Sequence, residues 1–159
     1  MNDITANQQG TPEGGVSRRE LFYKLSPLGK LTLDVTRCTG CGLCAVECPD
    51  GAMIISTEPA GSFQLLFRHG SCTACGLCAG ICPEKCLSVE RTFEPDKMGA
   101  PVVLFEDKLI LCSECGQAIG PAAMIDKLKS RVNSLHPASS QFDLCPECRV
   151  RAQFGELRV

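Results

Sequence analysis

The chain has almost no aromatic reserve. Among 159 residues there is no tryptophan, one tyrosine and seven phenylalanines, 5 % aromatic in all. A conventional core built from this stock is thin, so something besides side-chain packing is expected to stabilise the fold. No run approaches the roughly 18 consecutive apolar residues of a membrane helix, and no secretory h-region is expected near the start. Basic charge is not in excess: 16 Lys and Arg face 18 Asp and Glu, for a formal net charge of −2. That balance disfavours nucleic acid as a partner, because phosphates demand Lys and Arg. The sequence also lacks a nucleotide loop, a nucleophile constellation and a paired acid and base. No catalytic activity of its own is therefore expected.

What the chain has is cysteine, 13 residues in 159. A density above ~8 % marks a scaffold held by cross-links or metals. Disulfides in a secreted protein are the competing explanation. The odd count, the missing h-region and metal-ligand spacings argue against them. The expected compartment is reducing and cytoplasmic, and metals are expected to supply much of the folding free energy.

Eight of the cysteines fall in two copies of one spacing. The first reads Cys38-x-x-Cys41-x-x-Cys44-x-x-x-Cys48-Pro49, and the second Cys72-x-x-Cys75-x-x-Cys78-x-x-x-Cys82-Pro83. Cysteines three apart in a turn that wraps a cubane can supply three of its corners. In this motif the fourth cysteine of each run ligates the other cluster. The expected ligand sets are Cys38, Cys41, Cys44 and Cys82 for one 4Fe–4S cluster, and Cys72, Cys75, Cys78 and Cys48 for the other. The proline after each run lacks an N–H and turns the chain away. The span from about Lys30 to Arg91 thus resembles a bacterial-type ferredoxin carrying two 4Fe–4S clusters. That resemblance implies electron transfer without saying between which partners. Each cluster with its four thiolates carries a charge of about −2, which makes the loaded protein more acidic and suits docking to a basic surface.

The two copies belong to an internal repeat with an offset of 34 residues, running from Arg37–Ile55 to Ser71–Val89 without gaps. Thr39/Thr73, Gly42/Gly76, Leu43/Leu77 and Ala45/Ala79 match alongside the cysteines and proline. The matched glycine is expected where backbone N–H groups approach cluster sulfur. Strands are expected at Leu31–Val35, Ala52–Ile55, Phe63–Phe67 and Leu87–Glu90, with a turn at Glu58–Ser62. Cys86 aligns with Ala52, so it is not a ligand by position. It reads as a small packed residue beside the cluster, with a redox thiol or a spare ligand as the sharper alternatives. His69, three residues before Cys72, reads as a loop histidine or a tuning group for that cluster. His136 is given no role.

Before the repeat lies a polar, glycine-containing arm. Ser17-Arg18-Arg19-Glu20-Leu21-Phe22 follows, read as a short capped amphipathic helix. The Ser-Arg-Arg opening is a poor match to a twin-arginine export signal, since no apolar run follows. After the repeat, Thr92–Pro101 reads as a linker. Val102–Phe105 and Leu109–Leu111, split by Glu106-Asp107-Lys108, read as a hairpin.

The tail carries Cys112-x-x-Cys115-Gly116 and Cys145-Pro146-x-Cys148. Two such pairs read as a four-cysteine metal site of the zinc-ribbon kind. The metal is expected to be zinc, with mononuclear iron or a third iron–sulfur cluster as alternatives. Pro121 opens a helical pattern of Met124, Ile125, Leu128, Val132 and Leu135. A closed site of four thiolates leaves no open position, so this module is expected to be structural. A ferredoxin-like front with such a tail resembles the small iron–sulfur subunits of formate hydrogenlyase-type oxidoreductase complexes, relatives of the complex I subunit with two 4Fe–4S clusters. That resemblance implies catalytic and electron-transfer subunits as partners.

The expected fold class is α+β: a ferredoxin-like pseudo-two-fold dicluster domain plus a small four-cysteine metal-ribbon module. Four segments are expected: an N-terminal arm with a short helix (1–29), the dicluster domain (30–92), a linker and hairpin (93–111) and the metal-binding module (112–159). The expected function is that of a non-catalytic electron-transfer subunit. The alternatives are a free soluble ferredoxin with an accessory zinc module, or a redox-sensing metal-dependent regulator.

Overall fold

The computed structural model describes residues 29–92, 94–133 and 142–155. The expected helix around Ser17, as well as Leu135 and His136, lies outside the described residues. Among the described residues are strands β1 (Gly29–Leu33), β2 (Met53–Ser56), β3 (Ser62–Phe67), β4 (Leu87–Arg91), β5 (Val102–Leu111) and β6 (Ala118–Pro121) and four α-helices. These are α1 (Leu43–Val46), α2 (Leu77–Ile81), α3 (Ala122–Asn133) and α4 (Pro146–Phe154).

The strands form two antiparallel sheets, one of order β1-β4 and one of order β2-β3-β5-β6. Each half of the repeat contributes strand, loop, helical turn, strand. Both sheets join the halves, since β1 pairs with β4 and β2 with β3. Neither half can therefore close its own sheet. On β3 the alternation places Phe63, Leu65 and Phe67 inward, and these are buried with Leu31, Met53 and Phe105. Cys44 and Cys72 belong to the same buried cluster, so the motif loops form part of the core. The first strand ends two residues earlier than expected. The Asp34 carboxylate accepts from the Thr36 N–H and hydroxyl at 3.0 and 2.6 Å, a local turn that competes with strand pairing.

The expected hairpin inside residues 102–111 is absent. Val102–Leu111 is one ten-residue strand whose front portion pairs with β3, from Phe67↔Val102 to Ser62↔Lys108. The charged triplet that looked like a turn is held within the sheet. Ser62 Oγ and Gln64 Nε2 both donate to Glu106 Oε1 at 3.2 Å. Asp107 Oδ2 accepts the Ala123 N–H at 2.7 Å, capping the first turn of α3. A carboxylate there satisfies a donor that the helix cannot satisfy itself. The true hairpin is β5–β6, with Leu109↔Pro121 and Ile110↔Gly120 paired. The sheet of β2 and β3 thus continues into the tail through the unbroken strand Val102–Leu111.

Candidate metal centres

Two cavities of nearly equal size lie between the motif loops and the sheets. Cys38, Cys41 and Cys44 line one of them together with Cys82. Cys72, Cys75 and Cys78 line the other together with Cys48. Each run of three thus meets the fourth cysteine of the opposite run. The remaining walls are largely apolar: Leu33, Leu65 and Leu87 around the first, and Leu31, Met53 and Phe67 around the second.

The loops follow the same backbone course in both copies. Positive φ recurs 34 residues apart at Gly40/Ala74, Gly42/Gly76 and Gly51/Lys85. Gly42 and Gly76 precede the two helical turns at φ 77° and 78°, a left-handed conformation that favours glycine. The matched glycine thus has a backbone reason of its own. Gly40 needs its size as well, because an added Cβ would lie 2.9 Å from Phe105 and 3.0 Å from Pro121. The first cysteine loop is therefore packed directly against the base of the tail hairpin.

Backbone N–H groups point at the sulfurs. Gly40 N–H donates to Cys38 Sγ at 3.5 Å, and Ala52 N–H to Cys48 Sγ at 3.3 Å. Burial pushes the Cys44 thiol up to about 12, and burial also raises Cys38, Cys72 and Cys78. Burial opposes ionisation of Cys82 too, but N–H groups of Cys86, Glu84 and Lys85 and the Cys86 thiol outweigh it and hold it below its ordinary value. Thiols so crowded do not ionise together without a cation among them, and metal binding must release their protons. Donor chemistry, the apolar walls and the N–H groups all fit a thiolate-ligated iron–sulfur group.

The tail site is built differently. Cys112 and Cys115 sit at the tip of the β5–β6 hairpin, closed by Cys112 N–H to Gln117 O at 2.8 Å and Gly116 N–H to Cys112 O at 2.9 Å. Cys145 caps α4, its sulfur accepting the Cys148 N–H at 3.5 Å, and Pro146 opens the helix. The four sulfurs lie within 4.8 Å of one another. Cys115 and Cys145 are 3.7 Å apart. A tetrahedral ion with bonds of about 2.3 Å places its sulfurs ~3.8 Å apart. The residues therefore fit a single four-thiolate ion, whereas a cubane would hold each sulfur on its own iron and spread them further. The Cys145 N–H, 3.3 Å from Cys112 Sγ, and the Cys115 N–H bring the Cys112 thiol down to about 6. Burial and the adjoining Cys115 push Cys148 up to about 12.

Other residues fall outside these centres. His69 packs edge-on against Phe67 with ring centroids 4.5 Å apart and does not line the cavity of Cys72. The helical row of Met124, Ile125 and Leu128 lies on α3, and Ile125 is buried. Cys86 is buried, lines the first cavity, and has its sulfur 3.4 Å from Cys82 Sγ. Burial and the neighbouring Cys82 and Cys38 sulfurs push it up to about 12. Three contributions had no signal in the sequence. Gly29 approaches so closely that an added Cβ would fall 2.0 Å from Cys72 Sγ. Asp50 accepts the Thr73 hydroxyl at 2.5 Å, tying the end of one motif to the start of the next. Lys127 of α3 donates to Glu84 beside Cys82, clamping the tail helix to the first centre.

Fold and donor set together define an iron–sulfur, ferredoxin-like protein with a further four-cysteine group in its tail. Residues 37–86 match the family described as the 4Fe-4S dicluster domain. No curated protein matches the chain. Among the described residues, no helix is long and apolar enough to cross a membrane.

Proposed function

We infer that the protein is an electron-transfer subunit that relays single electrons through two 4Fe–4S clusters within a larger oxidoreductase. The observation that carries this is the crossed grouping: each cavity gathers three cysteines of one run and the last cysteine of the other. The repeated positive-φ positions support a pseudo-two-fold dicluster domain. Cys38, Cys41, Cys44 and Cys82 hold one cluster, and Cys72, Cys75, Cys78 and Cys48 the other. When bound, the clusters supply one-electron carriers. The apolar walls exclude water, and the N–H groups of Gly40 and Ala52 stabilise the ligand sulfurs.

Cys112, Cys115, Cys145 and Cys148 hold zinc as a structural ion, which ties the β5–β6 hairpin to α4. Val150 and Phe154, four residues apart on α4, are 53 % and 69 % exposed. Such an apolar pair on one helix face suits contact with a partner subunit and favours a docked protein over a freely diffusing ferredoxin. The chain has no catalytic role of its own in this reading.

The test is anaerobic purification followed by metal and sulfide analysis and electron paramagnetic resonance after dithionite. About eight irons with matching sulfide and two interacting reduced centres are expected, together with one zinc. Colourless protein with a single metal per chain and no paramagnetic signal would overturn the reading. Co-purification decides the setting: a stable monomer with no associated subunit would favour the free ferredoxin.

A further inference from the structure

The two cavities share the same arrangement of four cysteines, and one buried position beside the last cysteine differs in its hydrogen-bonding chemistry. Ala52 and Cys86 occupy equivalent places, 34 residues apart. Arg68 N–H donates to Ala52 O at 2.8 Å, and Asp34 N–H donates to Cys86 O at 2.8 Å; Asp34 and Arg68 are themselves 34 apart. Ala52 also sends its N–H to the Cys48 sulfur at 3.3 Å, and the Cys86 N–H lowers the Cys82 thiol from the matching position. Both are nearly inaccessible, at 2 % and 6 % exposure. The backbone environment is thus held constant while the side chain changes from methyl to thiol.

That thiol lies 3.4 Å from the Cys82 sulfur. Two sulfurs this close share a proton. With Cys82 serving as a thiolate ligand, the proton sits on Cys86, which becomes the donor. The Cys48 sulfur has only a methyl group facing it from the matching side chain. A hydrogen bond to a ligand sulfur stabilises the more negative, reduced state and so raises the reduction potential.

We propose that Cys86 is a potential-setting residue, whose thiol donates to Cys82 and raises the potential of the Cys38, Cys41, Cys44 and Cys82 cluster. This rests on the dicluster reading given above. The extra donor inclines an electron toward that cluster: one electron leaves the Cys48, Cys72, Cys75 and Cys78 cluster, which is oxidised, and reduces the other. No bond or proton changes hands. The favoured cluster is also the one beside the Lys127–Glu84 clamp and the tail.

The experiment is a mediated redox titration, followed by paramagnetic resonance, of the full chain purified anaerobically. Wild type is compared with Cys86→Ala, Cys86→Ser and Ala52→Cys. Cys86→Ala is expected to keep both clusters and move one midpoint to lower potential while leaving the other in place. Cys86→Ser keeps a donor and is expected to recover most of that shift. Ala52→Cys is expected to raise the midpoint that Cys86→Ala leaves alone. Unmoved midpoints in Cys86→Ala, a joint shift of both, or a serine variant matching the alanine one would overturn the proposal. So would loss of the first cluster in Cys86→Ala, which would make Cys86 a ligand. A wild type without two reducible centres would sink the dicluster reading itself, a result distinct from unmoved potentials in a protein that has both.

Discussion

The front and the tail use the same element, a pair of cysteines three residues apart, for opposite ends. In the front, three such cysteines line a cavity and the fourth arrives from the other half. In the tail, two pairs converge until all four sulfurs lie within 4.8 Å. The difference lies in what carries the pairs. In the front, the left-handed glycine after the second cysteine leads into a short helical turn that carries the third, whereas Gly116, left-handed too, leads on to β6. The tail pairs sit on a hairpin tip and a helix N-terminus that point at each other. Cys-x-x-Cys alone therefore does not specify the size of the metal group; the elements on either side do.

The sharpest way to separate the regions is to remove a tail ligand. Cys145→Ala should release the tail ion and unravel the packing of α4 on the β5–β6 hairpin, since structural zinc is worth ~10–16 kcal/mol in small zinc-binding peptides. Metal analysis should show zinc lost and iron retained. Loss of both would mean the regions do not bind metal independently. The next pair of variants tests the crossing. Cys48→Ala should cost the cluster built mainly on Cys72, Cys75 and Cys78, and Cys82→Ala the one on Cys38, Cys41 and Cys44. Each should lose about half the iron, seen by resonance of the remaining centre; loss confined to the sequence-adjacent cluster would break the assignment.

A smaller effect comes from the aromatic and aliphatic core of the front. Phe67 is fully buried between β2, β5 and the second cavity. Phe67→Ala should destabilise the protein by ~3–5 kcal/mol, read as a lower denaturation midpoint, with the tail metal still bound. Smallest is the clamp between the regions. Glu84→Gln should lower the melting temperature slightly at neutral pH. The Lys127 hydrogen bond holds the Glu84 carboxyl below its ordinary value. Its contribution is thus present above the unfolded carboxylate value, about 4.3, and is lost as pH falls through the lower folded value. Wild type and variant should converge in acid, and a gap that persists there would rule out the ion pair as its cause.

The front was largely legible in the sequence. Its four strands were expected from short apolar runs, the first of them alternating, and the repeat offset aligned the two motif loops. The tail was legible in its cysteines and in the α3 pattern, but not in how it joins the front. Glu106-Asp107-Lys108 has the composition of a turn. Nothing local reveals that Ser62, Gln64 and the α3 N-terminus will satisfy its charges from elsewhere in the chain. Gly29 was equally silent, because the reason for its size is a sulfur 43 residues away. Cys86 was visible as an unmatched cysteine. Its contact with Cys82 depends on a bend at Lys85, a non-glycine residue at φ 50°, which composition does not announce.

The uninterrupted strand Val102–Leu111 also has a mechanical consequence. A strand zippered to β3 on one stretch and to β6 on the next behaves as a girder and not as a tether. Whatever grips the tail fixes the yaw of the front as well. Anything that gripped only the four-cysteine end would thereby aim both cysteine-lined cavities without touching them.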